Sequence, residues 1–138
     1  MEEISIEQIR HELTWLLRQK ALYPELDVKE MGMDEDLNGI HFGAFKNGWI
    51  VGVISLFQKG DDFQFRKVAV DPLVQNMGIG SLMLDYITAF AIAEGGKRLW
   101  CNARLSAIPF YLMHGFVQTG TTYSKMGIDY EMMEKDIA

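Results

Sequence analysis

Cysteine is all but missing from this sequence: Cys101 stands alone among 138 residues. No disulfide can close within the chain, so its fold must rest on a core. In a strand-like run with no histidine close by in sequence, Cys101 reads as a small buried hydrophobe rather than a nucleophile. Proline is scarce too, at Pro24, Pro72 and Pro109 only, and long stretches are left free to form uninterrupted strands and helices. Basic residues are outnumbered, 13 Lys and Arg against 19 Asp and Glu, for a net charge of −6. That balance excludes a general nucleic-acid surface, which needs a basic face to displace counterions, and suits a cationic or amine partner. No apolar run approaches the roughly 20 residues of a membrane span, so no membrane partner is expected. Met1-Glu2-Glu3 has neither the basic region nor the apolar stretch of a secretory leader, and the expected location is cytoplasmic. The three histidines show no metal-ligand spacing, and no metal is expected.

What is present is ordinary globular material, 49% hydrophobic and 23% charged, in a length that suits one domain over 1–138, able to bury about two-thirds of its unfolded surface. Ser5-Ile6-Glu7-Gln8 has the form of a capping box. With Ile6, Ile9, Leu13, Leu16 and Leu17 at helical spacing, it predicts a helix from Ser5 to about Lys20. Leu22 to Asn38 has no sustained period and reads as a long connection, with Asp34-Glu35-Asp36 as a solvated stretch. Ile40–Phe45 and Trp49–Phe57 flank Asn47-Gly48 as a hairpin, and Gly60-Asp61-Asp62 turns into a strand over Phe63–Val70. A helix follows and stops at Gly95-Gly96. Arg98–Asn102 is the natural parallel partner of the strand before that helix. Ser106 can cap a short helix with Pro109 in its first turn and Gly115 at its end. Phe116–Tyr123 and Asp129–Met133 close the order as strands. The fold class is α/β with one mixed sheet.

The chain is organised around the passage from Val68-Ala69-Val70, through Asp71-Pro72, to Gln75-Asn76-Met77-Gly78-Ile79-Gly80-Ser81. A strand end, a glycine-bearing loop and a helix start follow one another there. The first amides of a helix lack ladder partners and carry a partial positive charge, and glycines let an anion approach them. Two phosphate-binding fingerprints are absent: Met83 stands where a dinucleotide motif has its third glycine, and no Gly-x-x-x-x-Gly-Lys-Ser/Thr occurs.

Gln-x-x-Gly-x-Gly after Val-Ala-Val-Asp-Pro resembles the acyl-CoA-binding motif of the GNAT family of N-acetyltransferases. Ala107-x-x-x-Tyr111-x-x-x-Gly115-Phe116 is similar to that family's short helix presenting a tyrosine. The resemblance covers about residues 40 to 133 as ordered pattern matches. It implies a GNAT-like single domain, a mixed and mostly antiparallel central sheet flanked by helices, with a splayed acyl-CoA-binding strand pair. It also implies acetyl-CoA as co-substrate and transfer of its acetyl group to an amine. The partner is then a small-molecule or peptide amine, with a homodimer left open. Leu17-Arg18 to Pro24 and Trp100-Cys101-Asn102-Ala103-Arg104 resemble a small-protein branch typified by ElaA-like acetyltransferases.

By the same resemblance, Val68 and Val70 would offer backbone groups to the pantetheine arm. Gln75, Asn76, Met77, Gly78, Ile79, Gly80 and Ser81 would hold the pyrophosphate, and Tyr111 would be the general acid for the departing thiolate. The chain departs from the family at Arg104, where many relatives carry asparagine seven residues before the tyrosine. Asn102 lies two residues earlier, and either could serve the cofactor arm. Its start leaves little room for the usual first strand, only a stub from Glu2 to Ile6. The general base is not identified: Asp62, Glu131 and Asp129 read first as surface charges, and His41 and His114 as structural. Besides the enzyme, two readings fit the residues: a non-catalytic acyl-CoA-binding regulatory module, and a nucleotide or phosphate domain without its usual lysine.

Overall fold

Ile4-Ser5-Ile6-Glu7 puts a β-branched apolar residue at every second position. The computed structural model, which describes residues 3–138, forms a strand there, β1 (Ile4–Ile9). The expected helix from Ser5 is corrected: β1 pairs antiparallel with the next strand from Ile4↔Lys46 to Ile9↔His41. Ser5 Oγ bonds Glu7 Oε2 at 3.4 Å instead of capping a helix. Ile6 and Ile9 fit a helical period while Ile4 and Ile6 fit an extended one, and β-branching with a paired neighbour decides for the strand. The first strand is therefore complete rather than a stub; Met1 and Glu2 lie outside the described residues. Helical structure begins at His11, as a 3-10 turn (His11–Thr14), one α turn, α1 (Trp15–Leu17), and a π turn (Arg18–Leu22).

The remaining elements are β2 (Ile40–Lys46), β3 (Trp49–Lys59), β4 (Asp62–Val70), α2 (Ile79–Ala93), β5 (Arg98–Arg104), α3 (Ile108–Met113), β6 (Val117–Lys125) and β7 (Ile128–Asp136). They form a mixed seven-stranded sheet in the order β1-β2-β3-β4-β5-β7-β6. β5 runs parallel to β4, while β1–β2, β2–β3, β5–β7 and β6–β7 are antiparallel. Among the described residues no helix is long and apolar enough to cross a membrane. The chain forms two compact units, Met1–Phe57 with Phe65–Phe90, and Gln58–Gln64 with Ala91–Ala138.

In the first unit α2 lies across β3. A Cβ on Gly52 would sit 3.0 Å from Ile79 Cγ2 and from Met83 Cε and Sδ, so the strand stays bare where the helix crosses. Phe42 of β2 packs edge-on against Tyr86 and Phe90 of α2, with ring centroids 5.4 and 5.3 Å apart. Leu17, Val53 and Ala69 form a buried cluster with Ile9 and Leu22 against it; each large apolar side chain fully buried in this way contributes about 1.5–3 kcal/mol. The long connection holds two 3-10 turns, Val28–Glu30, closed by a reciprocal Asp27–Glu30 capping box, and Asp34–Asn38. Its acidic stretch is not all solvated: Asp36 is 2% exposed.

In the second unit β4 and β5 pair from Asp62↔Arg98 to Gln64↔Trp100. The parallel pairing ends there although both strands continue, as a splayed pair requires. β5 then pairs along its whole length with β7, from Arg98↔Asp136 to Arg104↔Tyr130. Pro109 sits in the first turn of α3, where its missing N–H costs nothing. Ser106 is no cap: it lies inside a 3-10 turn, Leu105–Ala107, that opens after Arg104 without a side-chain hydrogen bond.

Candidate functional site

Candidate residues occur in each of the two units, and each set is built locally. In the first unit, β4 ends at Val70, and Asp71 shapes the exit: its carboxylate accepts from the Leu73 amide at 3.0 Å and from Lys20 Nζ at 3.3 Å. The Leu73 bond, and after it Lys20, hold that carboxyl below its usual range. The Asp71 amide donates to the Val51 carbonyl at 2.8 Å. A 3-10 turn, Pro72–Val74, follows. Gln75 reaches back, Nε2 donating to the Val70 carbonyl at 3.2 Å, so one acceptor position at Val70 is already used.

The loop then runs exposed through Gln75, Asn76, Met77 and Gly78. Asn76 and Gly78 are left-handed, with φ of 65° and 80°. Such residues turn nearby amides into an anion-accepting concavity. A Cβ on Gly78 would meet nothing within 4 Å, so glycine is required there by backbone conformation rather than by crowding. The first ladder bond of α2 runs from the Leu82 amide to the Gly78 carbonyl at 3.0 Å, and the helix ladder therefore offers no acceptor to the amides of Ile79 and Gly80. Ile79 is buried and anchors the helix start, while Gly80 and Ser81 are half-buried. Val68 and Val70 are half-buried as well.

The same unit carries a buried polar network that the sequence does not announce. Arg18, fully buried, grips Asp36 with two hydrogen bonds, Nη1 to Oδ2 at 2.9 Å and Nη2 to Oδ1 at 3.0 Å. It also donates to the Met31 carbonyl at 3.0 Å and to Ser55 Oγ at 2.9 Å; its Nε has no partner among the described residues. His41 Nε2 lies 2.8 Å from the Asp36 carbonyl and Nδ1 2.7 Å from Ser55 Oγ. A carbonyl can only accept, so Nε2 carries the proton and Nδ1 accepts from the Ser55 hydroxyl. Burial would raise the Asp36 carboxyl, but the Arg18 bonds, the Met33 amide and the Arg18 charge together bring it below its usual value. Burial pushes the His41 imidazole down, against the opposing hydrogen bond and charge of Asp36. His41 is thus structural, and with Arg18 it fixes the connection through residues 31–36.

In the second unit Tyr111 is 8% exposed, on α3 between Phe110 and Phe116, with ring centroids 5.2 and 5.8 Å away. Burial, and then the neighbouring Cys101, push its phenol well above 10. Burial pushes the Cys101 thiol up to about 12, which removes it as a nucleophile near neutrality. Asn102 and Arg104 are both half-buried in β5, in register with Met132 and Tyr130 of β7. Glu131 is not the surface charge expected: it is 8% exposed. It accepts from Gln118 Nε2 and the Gly120 amide, each at 3.0 Å, and holds the register shift between Gln118 and Thr122 in β6. Its two oxygens thus clamp the bulge. Asp62 pairs with Arg98 at 3.4 Å, and Asp129 accepts from the Ser124 hydroxyl. His114 packs on Phe110 at 4.7 Å.

The structure gathers Gln75 to Ser81 on one loop and helix start, with Val68 and Val70 on the strand that leads to them. It places Asn102, Arg104 and Tyr111 on β5 and α3 of the other unit.

A family model described as an acetyltransferase (GNAT) domain matches residues 12–137. Among solved structures, the chain is similar to an IAA acetyltransferase from Bacillus cereus ATCC 14579, at 19% identity, TM-score 0.80, covering 97% of this chain and 99% of that one. A GNAT family acetyltransferase from Elizabethkingia anophelis with acetyl-CoA bound is similar at 18% identity and TM-score 0.78, with coverage of 96% and 97%. ElaA of Escherichia coli is similar at 17% identity and TM-score 0.71, with coverage of 99% and 100%. At these identities the likeness is one of fold.

Proposed function

Because the chain belongs to the GNAT acetyltransferase family and so takes acetyl-CoA as its co-substrate, we propose that it acetylates a primary amine, with residues 1–138 acting as one catalytic domain. The observation that carries the site assignment is the exposed Gln75–Ser81 loop, left-handed at Asn76 and Gly78 and opening onto the first amides of α2. Its backbone suits a pyrophosphate, and Gln75 steadies the strand end beside it. Val68 and Val70 line the arm that follows. Asn102 or Arg104 takes the position at which many relatives have asparagine. A cytoplasmic setting suits this reading, since a single buried thiol requires no oxidising compartment.

The overall step balances as acetyl-CoA plus R–NH3+ giving R–NH–acetyl, CoA–SH and H+. The thioester supplies the activated acyl carbon; a C–N bond forms, the C–S bond breaks, and the sulfur leaves with the electron pair. A thiol ionises near pKa 8.5, while an alkyl amine near 10.4 is neutral in only about one molecule in 2,500 at pH 7. The amine must therefore lose a proton and the sulfur must gain one. Tyr111 suits protonation of the sulfur, because its phenol stays protonated wherever a thiolate can depart and donates a hydrogen bond to the growing charge.

Gly80→Val puts a branched side chain against the proposed pyrophosphate site. Calorimetry should show CoA affinity reduced by about ten-fold or more with little change in melting temperature. A folded variant with native affinity removes the loop from the site. Thiol release from acetyl-CoA with a panel of amines separates the enzyme from a binding module, since the module would bind CoA without turnover.

A further inference from the structure

Lys67 occupies a position in β4 that disfavours its backbone and gives it no counter-ion among the described residues. Its φ is 57°, in the left-handed region that a non-glycine residue rarely adopts inside a strand. Its ammonium donates to Tyr23 Oη at 2.7 Å and lies 4.7 Å from the centroid of the same ring. Phenol and ring face fix the charge in place without neutralising it. Neighbouring cations are treated differently: Arg66 faces Glu35 at 3.6 Å, Lys20 faces Asp71 at 3.3 Å, and Arg18 is closed on Asp36. Among the described residues no carboxylate lies within 4.0 Å of Lys67 Nζ. In a chain with 19 acidic residues, this half-buried ammonium is left against a neutral group, with two of its three donors available.

Its position gives that charge a use. Lys67 directly precedes Val68, the first of the strand-end residues read as flanking the acyl arm. Tyr23 stands at the head of the Leu22–Asn38 connection. The Lys67 charge thus sits one residue along β4 from the strand end assigned to acetyl-CoA in the reading above.

We propose that Lys67, positioned by Tyr23, binds a carboxylate carried by the acceptor, so that the substrate class is an amine bearing an acid group rather than a polyamine. This rests on the acetyl-transfer reading above. The same fixed charge rejects a second ammonium on the acceptor, and discrimination thus comes from attraction and repulsion together.

The test compares short ω-amino acids with their amides and with diamines of matched length, using acetyl-CoA and the full chain. Native protein should show kcat/KM about ten-fold or more higher for a carboxylate than for its amide, the size of one charge-assisted contact. Lys67→Met keeps the unbranched apolar stem and the backbone demand while removing the ammonium. It should erase that preference through the acceptor KM, with the acetyl-CoA KM unchanged within about two-fold. Lys67→Arg should retain most of the preference, and Tyr23→Phe should lose part of it. The inference is overturned if amides match carboxylates, if no carboxylate is accepted, if the preference survives Lys67→Met, or if that variant raises the acetyl-CoA KM instead. Calorimetry with acetyl-CoA on the same samples separates the two readings. Protein that does not bind it fails the acetyl-transfer reading, whereas protein that binds it but ignores the carboxylate fails only this inference.

Discussion

Asp36 in the first unit is 2% exposed and Tyr111 in the second is 8% exposed, yet one is held ionised and the other protonated. Around Asp36 every opposing cost has a partner: two guanidinium bonds, the Met33 amide at 3.0 Å, and a carbonyl that engages His41. Tyr111 packs against the rings of Phe110 and Phe116, and burial, then the neighbouring Cys101, push its phenol up, so the neutral form wins. Burial alone does not assign a role. A charge that is paired in the interior fixes a conformation, while a neutral titratable group kept there retains a proton to donate.

The largest break in this comparison should come from Asp36→Ala, which leaves the Arg18 guanidinium buried without its carboxylate and should cost about 3–5 kcal/mol. Replacing both by apolar residues, Arg18→Met with Asp36→Leu, should cost far less. Urea titrations of both variants decide it, and equal losses would mean that the pair is not coupled.

Tyr111→Phe should act on rate instead of stability. Single-turnover acetyl transfer should fall on the order of 100-fold, about 2.7 kcal/mol, with CoA affinity and melting temperature little altered. A variant as fast as the parent under those conditions would make Tyr111 a packing residue.

pH sharpens the contrast. His41 has a lowered folded pKa against an ordinary value of 6.5, so its contribution to stability is complete above 6.5 and is lost as pH falls from there toward the folded value. Asp36, lowered from 3.8, adds its own loss only at more acidic pH. Arg18, His11 and Asp36 are the charged or titratable groups acting on the imidazole. His41→Gln should flatten the stability slope between pH 7 and 5 by at most about 1.4 kcal/mol per pH unit. An unchanged slope would place the acid sensitivity elsewhere.

The smallest effect is expected at Arg104, half-buried on β5. If it meets the acceptor, Arg104→Ala should raise the acceptor KM by about three-fold, below 1 kcal/mol, and leave the acetyl-CoA KM alone. Equal values for parent and variant would assign it no part in recognition.

The hairpin at Asn47-Gly48, the helix from Ile79 and the parallel pairing of the strands beside it are legible in the sequence because local turn chemistry and period agree there. The loop from Gln75 to Ser81 is legible because glycine and asparagine mark left-handed backbone. β1 reads as helix because Ile6 and Ile9 keep a helical spacing while Ile4 and Ile6 keep an extended one, and only pairing with β2 chooses between them. Asp36 looks solvated because its neighbours Asp34 and Glu35 are acidic too; the signal for its burial is an arginine, Arg18, directly after Leu16 and Leu17, with nothing nearby in sequence to satisfy it. Lys67 carries no signal at all, since its left-handed backbone is imposed by the strand around it.

The bulge that Glu131 holds in β6 has a consequence for life at high concentration. β6 ends the sheet, and nearly all of its residues are exposed, so a flat β6 would offer its free rim to strands of other molecules. By drawing the Gly120 amide onto its carboxylate, Glu131 bends that rim out of the regular ladder and blunts it. Glu131→Ala should therefore show itself in light scattering that rises with protein concentration, before any change is seen in the melting of dilute samples.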